Sequence, residues 1–271
     1  MRKIFPLCAI GAAMLAALAT GCNEQSKKGL EFFVVEGGGT YRLFNSAREF
    51  GTDEDITFTD SVSIMLPNAL FENDVRPLYD SILKVAFDTV GTDYDGIVAK
   101  YMTRTIEQLG YNFERVDSVN PGTEADGFNT VSGTLVNLTP DLLVYSVSTS
   151  DYQPRAAHGL TTTYYINYDI RGGRVLSFND LFDAGRADSL AAAIQTQADA
   201  LEQVIGPTTI ASLPAGNNFM LSPGGEIVFV YQPYEVASYA QGAIRISFYP
   251  YELVEYMTPF AIKYFNLSDL N

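Results

Sequence analysis

The sequence predicts an α+β fold of mixed or antiparallel sheets with a few packed helices, in two abutting subdomains. Two observations carry this. Stretches with a two-residue apolar period are segregated from stretches with a helical period, and no regular strand–helix–strand alternation joins them. In addition, 47% of the residues are hydrophobic, and 17 Tyr and 17 Phe without any Trp suit aromatic-bearing strands around a substantial core. The expected division is a leader at 1–21, a tether at 22–30, an N-terminal α+β module at 31–150 and a C-terminal module at 151–271.

The leader comes first. Arg2 and Lys3 precede an uncharged, mostly apolar run from Ile4 to Ala19, which is too short to span a bilayer comfortably. It ends in Leu18-Ala19-Thr20-Gly21-Cys22, which resembles the lipobox of bacterial lipoproteins. Small residues at Thr20 and Gly21 let the chain enter a peptidase extended, and the Cys22 thiol is the expected site of lipidation. The expected product is a lipid-anchored envelope protein, exported and facing the periplasm or the surface, with a polar tether from Asn23 to Lys28. Cys8 leaves with the leader and Cys22 is acylated, so no thiol remains for a disulfide or a thiolate metal site.

Charge narrows the partners. Without Arg2 and Lys3 the chain keeps 15 basic residues against 32 acidic ones, a net charge of about −17. Phosphate binding needs clustered Lys and Arg, so nucleic acid is not an expected partner. An acidic surface also keeps an exported domain in solution.

Glu31 to Phe44 reads as two apolar strands around Gly37-Gly38-Gly39, a hairpin. Ile56 to Leu66 alternates through Ile56, Phe58, Val62, Ile64 and Leu66, with a slip in phase at Asp60 that suggests a bulge. Leu70 to Val90 has helical character. A second helix from Asp95 to Leu109 carries the stripe Ile97, Val98, Tyr101, Met102, Ile106 and Leu109, and Gly110 stops it. The two-residue period then returns at Tyr111–Val119, Phe128–Leu138, Leu142–Thr149 and Thr161–Ile170. Arg171-Gly172-Gly173-Arg174 makes a tight turn into Val175–Phe178. The clearest helix is Asp188 to Ile205, capped by Asp188 or Ser189 and ended by Gly206-Pro207. Strands at Glu226–Tyr231 and Ala243–Phe248, a short helix at Tyr251–Met257 and a final extended segment complete the chain.

Inventory excludes most catalytic chemistry. With His158 as the only histidine and no free thiol, His-rich zinc sites, Cys–His dyads and CxxC motifs have no residues to use. A serine triad would have to use His158, and no GxSxG elbow is present. Asp93-Tyr94-Asp95-Gly96 is a poor calcium loop, because Gly91 and Met102 stand where oxygen ligands are needed. No catalytic residue, metal or cofactor is assigned. Paired carboxylates are the one option that inventory leaves, with Glu235 and Glu252 as candidates for hydrolysis of envelope glycan.

Two ordered motifs carry a family resemblance. The first comprises His158-Gly159, then Tyr168–Leu176, then Asn179-Asp180-Leu181-Phe182; the second runs from Phe229 to Gly242. Together they resemble the C-terminal domain of unknown function of the anti-sigma factor RsiV and the peptidoglycan deacetylase PdaC, and residues from about 56 to 150 are similar to the module that precedes it. The resemblance implies an extracytoplasmic α+β domain that serves RsiV as a receptor for lysozyme. The chain carries no sigma-binding segment and no deacetylase domain, so neither activity is implied.

The expected function is a non-enzymatic binding module for an envelope protein, a lysozyme-like protein or peptidoglycan, with a glycan hydrolase or a purely structural component as alternatives. Candidate binding residues are His158, Tyr234, Glu235 and Tyr239. The last three lie in the twelve residues Tyr231 to Gly242, longer than the usual hairpin connection of about two to five. His158 as a backbone-bonded turn residue and the tyrosines as core aromatics are the bland readings. Finally, Asp followed by Ser or Thr and an apolar residue occurs at Ser61, Ser81, Thr89, Ser118 and Ser189, which resembles the O-glycosylation signal of Bacteroidetes envelope proteins.

Overall fold

In this computed structural model the described residues are 4–5, 29–116 and 125–270, so Cys22, most of the leader and tether, and Ser118 lie outside them. The chain is of mixed α and β content and forms two compact units. One takes residues up to Thr134 together with Val147–Leu160, and the other takes Leu135–Ser146 with Thr161–Asn271. Each unit is therefore discontinuous in sequence.

In the first unit Leu30–Leu43 is a single 14-residue strand, β1, and not the expected hairpin. It pairs antiparallel with β2, Thr57–Leu70, in unbroken register from Phe32↔Pro67 to Arg42↔Thr57. The glycines answer to a neighbour. A Cβ on Gly37 would lie 2.6 Å from Val98 Cγ1 and 3.0 Å from Met102 Sδ, both on the helix that covers the strand. Bare backbone lets that helix sit close.

β2 keeps its alternation straight through Asp60, whose side chain is fully buried, so the expected bulge there is absent. The register shifts instead between Glu31 and Phe32, opposite Pro67 and Ala69, which leaves Asn68 as the extra residue. Because β2 runs on to Leu70, the first long helix, α1, begins only at Arg76 and spans Arg76–Phe87, with Pro77 in its first turn. α2 spans Tyr94–Gln108, capped by the Asp93 carboxylate, and buries Val98, Met102 and Ile106 of the expected stripe.

β3, Phe113–Val116, pairs with the end of β1, and Ile4–Phe5 pairs with Phe33 and Phe32. β4, Gly127–Leu138, runs parallel to β2, from Phe58↔Gly127 to Ile64↔Gly133. β5 is Leu142–Tyr152, and the strand order in this unit is β3–β1–β2–β4–β5.

The second unit takes the end of β4 and the start of β5, with β6 at Leu160–Asp169 beside β5 and β7 at Arg174–Leu176 beside β6. The tight turn between them uses Gly173 at φ 62. A three-stranded antiparallel sheet follows, in the order β10–β9–β8: β8 is Phe219–Leu221, β9 Ile227–Tyr231 and β10 Ile244–Phe248. Its core joins Phe178, Phe182, Ile194, Phe229, Ile246 and Leu253. Phe229 packs on Phe182 at 5.6 Å and on Phe248 at 5.9 Å between ring centroids.

Two expectations are corrected here. The long helix, α3, is Ala187–Ala200 and follows a 3-10 turn, so neither Asp188 nor Ser189 caps it; Asp183 caps that turn through Gly185. The C-terminal segment is not extended. Thr258 accepts from Ala261 N and Pro259 opens α4, Pro259–Tyr264.

Candidate functional site

The loop joining β9 to β10 is held by side chains spending their polar groups on backbone. Glu235 accepts from Ala215 N at 2.6 Å with one oxygen and from Gln232 N at 2.7 Å with the other. Gln241 donates to the carbonyls of Ile205 and Pro207 at 2.8 and 3.0 Å, and it closes a capping box with Ser238.

Buried amides continue this pattern beneath the loop. Gln232 accepts from Thr163 N at 2.9 Å and donates to Thr163 O at 2.7 Å. Asn218 accepts from Tyr165 N at 3.0 Å, and Asn167 donates to Phe219 O and accepts from Leu221 N at 2.9 and 2.8 Å. Along this line β6 is tied to β8 and to the end of β9 by side-chain amides taking the place of backbone pairing.

On this frame Tyr231 is fully buried and donates its hydroxyl to Ser212 O at 3.0 Å. Burial, and secondarily the Glu235 charge, push its ionisation well above the ordinary tyrosine range. Tyr234 is the opposite case. It is 58% exposed, its backbone is left-handed at φ 70, and its ring stacks on half-buried Tyr239 at 5.4 Å and 30°. A non-glycine residue at positive φ is uncommon and holds only where its surroundings fix it.

The four candidate binding residues therefore divide. Tyr234 and Tyr239 form a displayed ring pair, and Glu235 is the internal anchor of their loop. His158 is exposed in the first unit, with Nδ1 3.1 Å from Gly159 O. The two carboxylates considered for hydrolysis lie beyond opposite ends of the β9–β10 pair, Glu235 after Tyr231 and Glu252 after Phe248, which faces Ile227. Roughly 13 Å of strand lies between those ends, more than the roughly 5–10 Å that glycosidases use. Glu252 also accepts from Tyr249 N at 2.7 Å.

A further polar group escaped sequence reasoning. Asp60 is buried in the first unit, where Asn129 Nδ2 reaches its Oδ1 at 2.9 Å and the Tyr101 hydroxyl at 3.2 Å. Desolvation raises its carboxyl pKa, and the Asn129 hydrogen bond opposes the rise. The available signal was an aspartate at an inward position of an alternating strand. Of the Asp-Ser/Thr-apolar sites, Thr89 and Ser189 are exposed while Ser61 and Ser81 are half-buried. Among the described residues no His, Cys, Asp and Glu gather as metal ligands, and no helix is long and apolar enough to cross a membrane.

Residues 179–252 match the family model described as protein of unknown function (DUF3298), a stretch that contains the second motif and its loop. No curated protein matches the chain. Among solved structures it is similar to a DUF3298 family member (BF2082) from Bacteroides fragilis NCTC 9343, with TM-score 0.65 and 19% identity over 88% of this chain and 97% of that one. It is also similar to a DUF3298 family protein (PA4972) from Pseudomonas aeruginosa PAO1, with TM-score 0.55 and 13% identity over 87% of this chain and 97% of that one. At these identities the likeness is one of fold. The chain thus carries a DUF3298 domain, of unknown function, at residues 179–252.

Proposed function

We propose that this chain is an envelope lipoprotein, exported by the leader at 1–21 and anchored by lipid on Cys22, whose DUF3298 domain binds a protein or cell-wall ligand without catalysis. One observation carries the reading. The Tyr234 ring is displayed on a left-handed backbone and stacked on Tyr239, on a loop whose carboxylate and amide anchors are turned inward. Rigid aromatic side chains give large contact area at low rotamer cost, which is what a binding face needs.

The ligand class follows from the resemblance to the lysozyme receptor domain, so a lysozyme-like protein and peptidoglycan are the first two probes. The full chain, purified in detergent and immobilised, is tested for capture of hen lysozyme and of purified peptidoglycan. Tyr234→Ala and Tyr239→Ala are expected to lose capture while the melting temperature of Tyr234→Ala stays close to that of the parent. Undiminished capture by both variants, or capture of neither probe, would sink the proposal.

A further inference from the structure

We propose that β10 is the seam of a symmetric dimer in which a second copy adds its own β10 antiparallel to the first. The argument begins with hydrogen-bond direction. Val230 N donates to Asn218 O, on the β8 side, so Val228 and Val230 face β8 while Ile227, Phe229 and Tyr231 face β10. In register with these, Ile244, Ile246 and Phe248 spend their backbone groups on β9. Arg245 and Ser247 then point N–H and C=O outward, and among the described residues no strand pairs with that side of β10.

This edge is complementary to itself. Two copies related by a two-fold axis at Ile246 place Arg245 opposite Ser247 of the partner subunit, and Ser247 opposite Arg245 of the partner subunit. Both members of each pair point outward, so every outward group finds a partner and no two arginines face each other.

The flanks agree. At the N-terminal end of β10 lies an open hollow of about 540 Å³ lined by Val204, Ile205, Gly206, Ala240, Ala243 and Ile244, beside which Val204 is 82% exposed. At the C-terminal end Tyr249 and Tyr251 are 48% and 57% exposed, with parallel rings 5.7 Å apart. The same register carried outward sets Ala243 opposite Tyr249 of the partner subunit, so each hollow receives the other copy's exposed tyrosines. The net charge of −15 opposes association, so the dimer should strengthen as salt rises.

The test is the molar mass of the full chain by light scattering across concentration and salt. Twice the single-chain mass is expected, and Ser247→Pro, which removes an outward N–H at an edge that tolerates proline, should return it to one chain. Val204→Glu, at an exposed position outside the strand, should weaken the dimer without affecting folding. For register, Arg245→Cys with Ser247→Cys, in a chain carrying Cys8→Ser and Cys22→Ser, should cross-link two chains on mild oxidation, since directly paired Cα atoms lie about 5.5 Å apart. A single-chain mass under all conditions, or a dimer indifferent to Ser247→Pro and free of the cross-link, overturns the proposal.

Discussion

Asn129 donates a 2.9 Å hydrogen bond to one oxygen of the buried Asp60 carboxyl, and with the Ser61 backbone N–H it only partly offsets the cost of burying the charge. Burial raises this carboxyl above its unfolded pKa of 3.8, so the folded chain keeps the proton longer than the unfolded chain. As pH rises past the unfolded value, the unfolded chain ionises first and stability falls until the folded pKa is passed. Asp60→Asn keeps an acceptor for Asn129 and carries no charge. It is expected to stabilise the protein by about 1 kcal/mol at neutral pH, with the gain shrinking towards the unfolded carboxyl's pKa. Thermal melts of both proteins at the two pH values check this, and a difference independent of pH counts against it.

Gly37→Ala should destabilise the first unit by about 1–3 kcal/mol, because the new methyl group has to displace α2. The contact at stake is with Val98 Cγ1, 2.6 Å from the added carbon. Val98→Ala in the same chain should recover part of the loss, measured as a double-mutant cycle by denaturant unfolding. Two strictly additive losses would mean that the glycine serves some other purpose.

Glu235→Gln leaves one carboxylate position with an amide donor facing a backbone N–H, either that of Ala215 or that of Gln232. The expected cost is about 2 kcal/mol, since hydrogen bonds to charged groups are the stronger kind. Amide exchange at Ala215 and Gln232 should speed up together. If exchange is unchanged, the loop is held by Gln241 alone.

Tyr231→Phe deletes the hydroxyl that meets Ser212 O and nothing else in the core. A loss of about 1 kcal/mol in unfolding free energy is expected. Spectroscopic titration should also find one fewer un-ionised ring in the variant than in the parent once ordinary tyrosines have titrated, while Tyr264, raised by its own burial, behaves alike in both.

Cys22→Ala is expected to abolish labelling of the protein by radioactive fatty acid. Equal labelling of the variant would remove the anchor from the proposed function.

The parts of the fold legible in sequence are those set by local periodicity. The stripe through Val98, Met102 and Ile106 marks α2 because burial on a helix face repeats along the chain. The glycine run misled because a turn and a close helix contact demand the same residue. What separates them is Val98, far along the chain from Gly37, which no local reading includes. Asp60 misled for a related reason, since a charged residue at an inward position reads as a break in phase until Asn129 stands beside it. In the candidate loop the length and the tyrosines were visible. That Glu235 faces backbone, leaving display to Tyr234, depends on the turn bringing Ala215 to it.

The line of amides at Asn167, Asn218 and Gln232 has a consequence for mutational tolerance. A strand ladder made of backbone groups survives most replacements, because every residue but proline brings the same donor and acceptor. Where side chains do the joining, donor and acceptor exist only as long as the amide does. Replacing Asn167 or Asn218 by Asp keeps size and shape but removes a donor and introduces a buried charge. The tolerance of this seam to substitution is therefore set by three side chains and not by the backbone.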